Sequence, residues 1–288
     1  MSISARLVRR LDRGANWALK KILSKDGTAI AVERTGRGPA LVFVDGAMCY
    51  RASGPSQPMA AALAEHFTVF TYDRRGRGDS SDSGPYDIQR EVDDLDAVIR
   101  EAGGQAVVLG VSSGAALALE AASRGVPITR LALYEAPFIV DSSRPALSDD
   151  FVPDMNAALA SGRRAEAVKM FMKLVGVPGI FIMLMRLMPA WPKLTAVAHT
   201  LPYDLAIVGP YQKGRPLPAT RWNGATMPTL VIDGGKSPAW MRNATRALAS
   251  VLPNAAYRTL DGQTHMVKPK ALAPPLVEFF SRNAPTPA

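Results

Sequence analysis

From about residue 27 onward the chain alternates between two hydrophobic patterns. One is short, nearly continuous and apolar: ALVFVD (40–45), FTVFTYD (67–73), AVVLGV (106–111), ITRLALYE (128–135) and TLVIDGG (229–235). Runs of that length without alternation fit strands covered on both faces of a parallel sheet. The other pattern has helical spacing. Between 86 and 102, Ile88, Val92, Leu95 and Ile99 share one face, and Gly103–Gly104 supply a stop. Residues 113–124 and 238–252 are rich in alanine and favour helix. This order predicts an α/β fold: a mostly parallel central sheet flanked by helices.

The rhythm breaks between 137 and 222. That stretch has no strand-like run but holds many of the methionines, Phe171, Phe181, Trp191 and several prolines. It reads as a helical cap inserted after the ITRLALYE strand, over the carboxyl edge of the sheet, where open α/β sheets bind ligands. The division is then a core of 27–136 and 223–288, a lid of 137–222, and an extension of 1–26.

Charge changes the picture only at the start of the chain. The net charge is +9, but residues 1–25 carry Arg6, Arg9, Arg10, Arg13, Lys20, Lys21 and Lys25 against Asp12 alone. Leu7, Leu11, Ala15, Ala18 and Ile22 recur there at helical spacing. The segment reads as a basic helix that packs on its own domain, or one that makes a weak contact with a membrane surface or a partner. No nucleic-acid motif accompanies the charge, so nucleic acid is not an expected partner. The longest apolar stretch, LVGVPGIFIMLM (174–185), is too short to span a bilayer and contains Pro178. A single cysteine, Cys49, leaves no internal disulfide framework, and a soluble, cytoplasmic protein is expected.

The chemistry centres on Gly110-Val111-Ser112-Ser113-Gly114, a G-x-S-x-G pattern between a buried strand and a helix-forming run. A serine on so sharp a turn stands above the sheet with a helix N-terminus aimed at it, a setting that favours an oxyanion. Its hydroxyl needs a base. Of the three histidines, His66 precedes a strand and His199 lies in the insertion. His265, in LDGQTHMV, sits on the last loop before the C-terminal helix and is the expected base.

Ser112 in its elbow, the lidded insertion and the late His265 resemble the α/β-hydrolase family over about residues 27–282. TYDRRGRGDS (71–80) also resembles that family's segment after the fourth strand, and is read as a structural turn. The resemblance implies a triad acid after the seventh strand, yet LVIDGGKSP places Ser237 there, with Asp233 four residues earlier. Glu135, closing the sixth strand, is the alternative acid. GVSSGA (110–115) and YEAPF (134–138) resemble the zearalenone-lactonase-type members, which keep a glutamate after the sixth strand. The same resemblance implies an oxyanion hole from the N–H groups of Ser113 and Gly46, with Ala47 the alternative to Gly46.

The expected activity is a serine hydrolase acting on a small, largely apolar ester or lactone through Ser112, His265 and Glu135. No metal or organic cofactor is called for, and no cluster has metal-ligand spacing. Ala47, Trp191, Trp240 and Met241 are candidate substrate contacts. Two other readings stay open: C–C bond hydrolysis or a cofactor-free lyase at the same site, and a ligand-binding protein with little turnover.

Overall fold

A computed structural model describes residues 19–281. Eight strands form one sheet in the order β1-β2-β4-β3-β5-β6-β7-β8: β1 Lys20–Leu23, β2 Ala29–Gly36, β3 Ala40–Val44, β4 Thr68–Tyr72, β5 Ala106–Val111, β6 Ile128–Tyr134, β7 Thr229–Gly234 and β8 Ala255–Leu260. β1 with β2 and β2 with β4 are antiparallel, and all later neighbours are parallel. Every residue of β5 and β7 is buried, as expected of continuous apolar runs covered on both faces. One apolar layer packs the sheet against helices Ile88–Glu101, Ser113–Ser123 and Ala239–Val251, and the other against Ser56–Leu63 and Pro269–Ser281.

Local chemistry sets the helix limits. Asp87 starts Ile88–Glu101 by accepting the Gln89 N–H at 2.6 Å, and Gly103 and Gly104 follow its end at φ 112° and 93°. The expected N-terminal helix is corrected where the structure reaches it. Lys20–Leu23 is an edge strand paired with β2, so Ile22 belongs to a ladder. An edge strand open to solvent tolerates its two lysines without cost. The remainder of that expected helix lies outside the described residues.

Between β6 and β7 lie helices Phe151–Ala160, Arg164–Leu174, Gly179–Met185, Trp191–Ala196 and Leu201–Val208, with no strand among them. Met155, Ala167, Val168, Val197, Leu201 and Leu205 give them a core of their own, and Met48, from the loop after β3, is part of it. None of the described helices is long and apolar enough to cross a membrane.

Candidate active site

Three non-glycine residues among those described adopt positive φ: Met48 at 61°, Ser112 at 57° and Glu135 at 48°. All three lie just past the carboxyl ends of neighbouring strands, β3, β5 and β6. Left-handed backbone is costly for residues with a Cβ and concentrates where function requires it. At Ser112 the surroundings impose the turn. A Cβ on Gly114 would stand 2.3 Å from the Val44 carbonyl oxygen, so only glycine lets the helix start this close to β3. Gly46 is also pressed against the serine, and a Cβ there would lie 3.0 Å from Ser112 Cβ.

Side chains from three separate loops meet above this turn. His265 Nε2 lies 3.1 Å from Ser112 Oγ, and its Nδ1 lies 2.8 Å from Glu135 Oε2. Glu135 is fully buried, and its second oxygen accepts the Gly234 N–H at 2.7 Å. The histidine loop is held in turn: Tyr134 Oη donates to the Thr264 carbonyl at 2.6 Å, immediately before His265. Asp233, the other candidate acid, is engaged elsewhere. It accepts from Tyr257 Oη at 2.7 Å and lies 3.7 Å from Arg242 Nε.

Asp45 takes the hydroxyl of Ser56, and burial pushes its carboxyl up to about 7 against the pull of that bond and of Arg77 and Arg74. The Gly46 carbonyl accepts from Arg77 Nη1 at 2.7 Å. In a planar trans peptide the next N–H points the opposite way, so the Ala47 N–H is aimed away from Arg77. Ala47 lines the cavity over Ser112, together with Ser113, Trp240, Met241 and His265. The cavity measures about 140 Å³ and is otherwise walled mostly by apolar cap and loop residues. Trp191, expected as a substrate contact, does not line it. It packs against the cap's own core instead.

Sequence reasoning missed what TYDRRGRGDS does. Arg74, Arg75 and Arg77 are all fully buried. Arg74 makes a two-pronged bond to Glu91 at 2.8 and 2.7 Å and reaches Asp204 of helix Leu201–Val208 at 2.7 Å. Arg77 reaches the other oxygen of Asp204 at 2.6 Å, and Ser113 Oγ donates to Asp204 at 2.7 Å. Burial alone would raise Asp204, but Arg77 and Arg74 hold it below the ordinary carboxylate range. One cap carboxylate therefore ties together the arginine turn, the residue after Ser112 and, through Arg77, the Gly46 loop. Three nearby arginines in the sequence were the available signal.

A family model described as the alpha/beta hydrolase family matches residues 23–274 of the chain. The chain belongs to that family. Among solved structures, an alpha/beta hydrolase from Sphaerobacter thermophilus DSM 20745 is 51% identical, with a TM-score of 0.84 over 91% of this chain and 100% of that one. The enol-lactonase from Burkholderia xenovorans LB400 is 22% identical, TM-score 0.66, over 91% and 100% of the two chains. A thermophilic esterase from Thermogutta terrifontis is 21% identical, TM-score 0.60, over 91% and 96%. At those lower identities the likeness is one of fold. Within the alpha/beta hydrolase family, this member carries its site carboxylate at the end of β6 and a buried serine, Ser237, in the loop after β7.

Proposed function

We propose that the protein is a serine hydrolase that cleaves a carboxylic ester or lactone of a small, largely apolar substrate through an acyl-enzyme. The observation that carries this reading is the hydrogen-bonded chain Ser112–His265–Glu135, with His265 between the other two at 3.1 and 2.8 Å. His265 Nε2 takes the Ser112 proton as Oγ attacks the carbonyl carbon. Buried Glu135 fixes the tautomer with the proton on Nδ1 and stabilises the imidazolium. The tetrahedral oxyanion is received by the N–H of Ser113 and by that of the loop after β3. The direction of the Gly46 carbonyl favours Ala47 over Gly46 as the second donor. Collapse expels the alcohol, which takes the proton from His265, and water repeats the sequence to release the acid.

The test is labelling of the serine with a fluorophosphonate, together with burst kinetics on p-nitrophenyl esters. The wild type should label and show a burst, and Ser112→Ala should do neither. Cleavage of a C–C bond with the whole ester and lactone panel untouched would overturn the reading, as would tight ligand binding with no label.

A further inference from the structure

The cavity over Ser112 is lined by a cation that has no carboxylate partner. Arg144, in the loop between β6 and helix Phe151–Ala160, lines the same cavity as Ser112 and His265. Its guanidinium carbon stands 4.1 Å from the centre of the Trp240 ring. Its Nη2 donates to the Leu174 carbonyl, at the C-terminal end of helix Arg164–Leu174. Among the described residues no carboxylate pairs with it. Asp204, the one acid lining the cavity, is committed to Arg74, Arg77 and Ser113. Asp141, three residues before it, is held by Ser143 and Asn243, and Asp149 is held by Lys213. By contrast, Arg51, Arg74, Arg75 and Arg77 each carry at least one ion pair.

Guanidinium presents five N–H donors in a planar fork that matches a carboxylate in two-pronged geometry. Here one hydrogen bond, to Leu174, is made. The half-buried charge lacks a counter-charge, and burial lowers its pKa. A partly desolvated cation beside an apolar cavity is offset best by an anion brought in from outside.

We propose that Arg144, stacked on Trp240, is a carboxylate-binding subsite beside Ser112, so that the ester or lactone hydrolysed here carries a free carboxylate. This rests on the serine-hydrolase reading for the reaction and on the cavity itself for the binding. The size of the cavity fits the same class. At about 140 Å³ it compares with the cavity of roughly 150 Å³ that accommodates benzene, which points to a short half-ester or a lactone ring bearing one acid group.

The experiment compares p-nitrophenyl butyrate with mono-p-nitrophenyl glutarate, which differ by one carboxylate, after subtracting the Ser112→Ala background. In the wild type kcat/KM should favour the half-ester by about 10- to 100-fold, the range for a charge-assisted bond. Arg144→Gln should cut that ratio at least tenfold, chiefly through KM, and Arg144→Lys should retain part of it. A ratio that Arg144→Gln leaves unchanged, or a wild type that prefers the butyrate, overturns the subsite and leaves the hydrolase reading standing. If neither ester is turned over, glutarate titrated calorimetrically into Ser112→Ala decides the subsite, while the serine labelling and the full ester and lactone panel decide the hydrolase reading. Saturable binding that is lost on adding Arg144→Gln supports it, and no saturable binding refutes it.

Discussion

Replacing Glu135 by glutamine tests the central claim with almost no change of volume. The carboxylate accepts from two donors at once, His265 Nδ1–H at 2.8 Å and the Gly234 N–H at 2.7 Å. A glutamine side chain has one oxygen and one NH₂, so one of the two donors must face another donor. If the NH₂ turns to His265, the ring is driven to the other tautomer, with its proton on Nε2 facing Ser112, and the base is lost. If the NH₂ turns to Gly234, a backbone N–H at the buried end of β7 is left unbonded. The first outcome is expected, because the imidazole can shift its proton and the backbone amide cannot. Loss of the correct tautomer in a serine–histidine–carboxylate relay costs about 10⁴ in kcat, or about 5 kcal/mol at 1.36 kcal/mol per tenfold. The cost in stability is smaller, about 1–3 kcal/mol for one compromised buried group. The assay is kcat on the best p-nitrophenyl ester alongside urea unfolding, with Asp233→Asn as control and Ser112→Ala as floor. Retention of more than about a tenth of wild-type kcat would refute the argument, since even one tenfold step corresponds to only 1.36 kcal/mol. So would Asp233→Asn proving the more damaging of the two.

Asp204→Asn removes the charge that joins Arg74 and Arg77, and leaves Arg77 with carbonyl and hydroxyl partners only. Urea unfolding should show a loss of about 3–5 kcal/mol, the cost of breaking a buried ion pair from one side. Gly46→Ala places a methyl group 3.0 Å from Ser112 Cβ and 3.5 Å from its Oγ. Circular dichroism should stay native while kcat falls by up to about 10²-fold, the loss that a misplacement of about 1 Å produces. Asp45 predicts a pH dependence of folding. Its pKa is raised from 3.8 to about 7 in the folded state, so the folded protein holds this proton more tightly than the unfolded chain. Its contribution is full below pH ~4, declines as pH rises towards 7, and is gone above that. Unfolding midpoints measured from pH 4 to 8 should fall less steeply in Asp45→Asn than in the wild type.

The elements that could be read from the sequence are those whose burial leaves a regular pattern. β5 and β7 are covered on both faces, so their apolar runs are unbroken, and helix Ile88–Glu101 is half-covered, so its period is plain. The elbow around Ser112 was legible because its glycines are sterically required. Glu135 was legible for a different reason, as a carboxylate closing a strand with no sequence-local partner. What escaped notice depends on distant partners. Three buried arginines look like a solvated turn until Glu91, Asp94 and Asp204 are seen to meet them from 17, 19 and 130 or fewer positions away. Arg144 sits in an irregular loop, where no period marks which way a side chain turns. Ile22 was read into a helical face because a short exposed edge strand leaves no alternating signature of its own.

Drawing the carboxylate from β6 also alters what the stretch after β7 is free to become. Pro238, Trp240 and Met241 line the cavity, and none of them bonds to His265. On the proposed relay, substitutions there would change the walls of the cavity while leaving both hydrogen bonds of His265 in place, so the choice of substrate could be altered apart from the proton transfer.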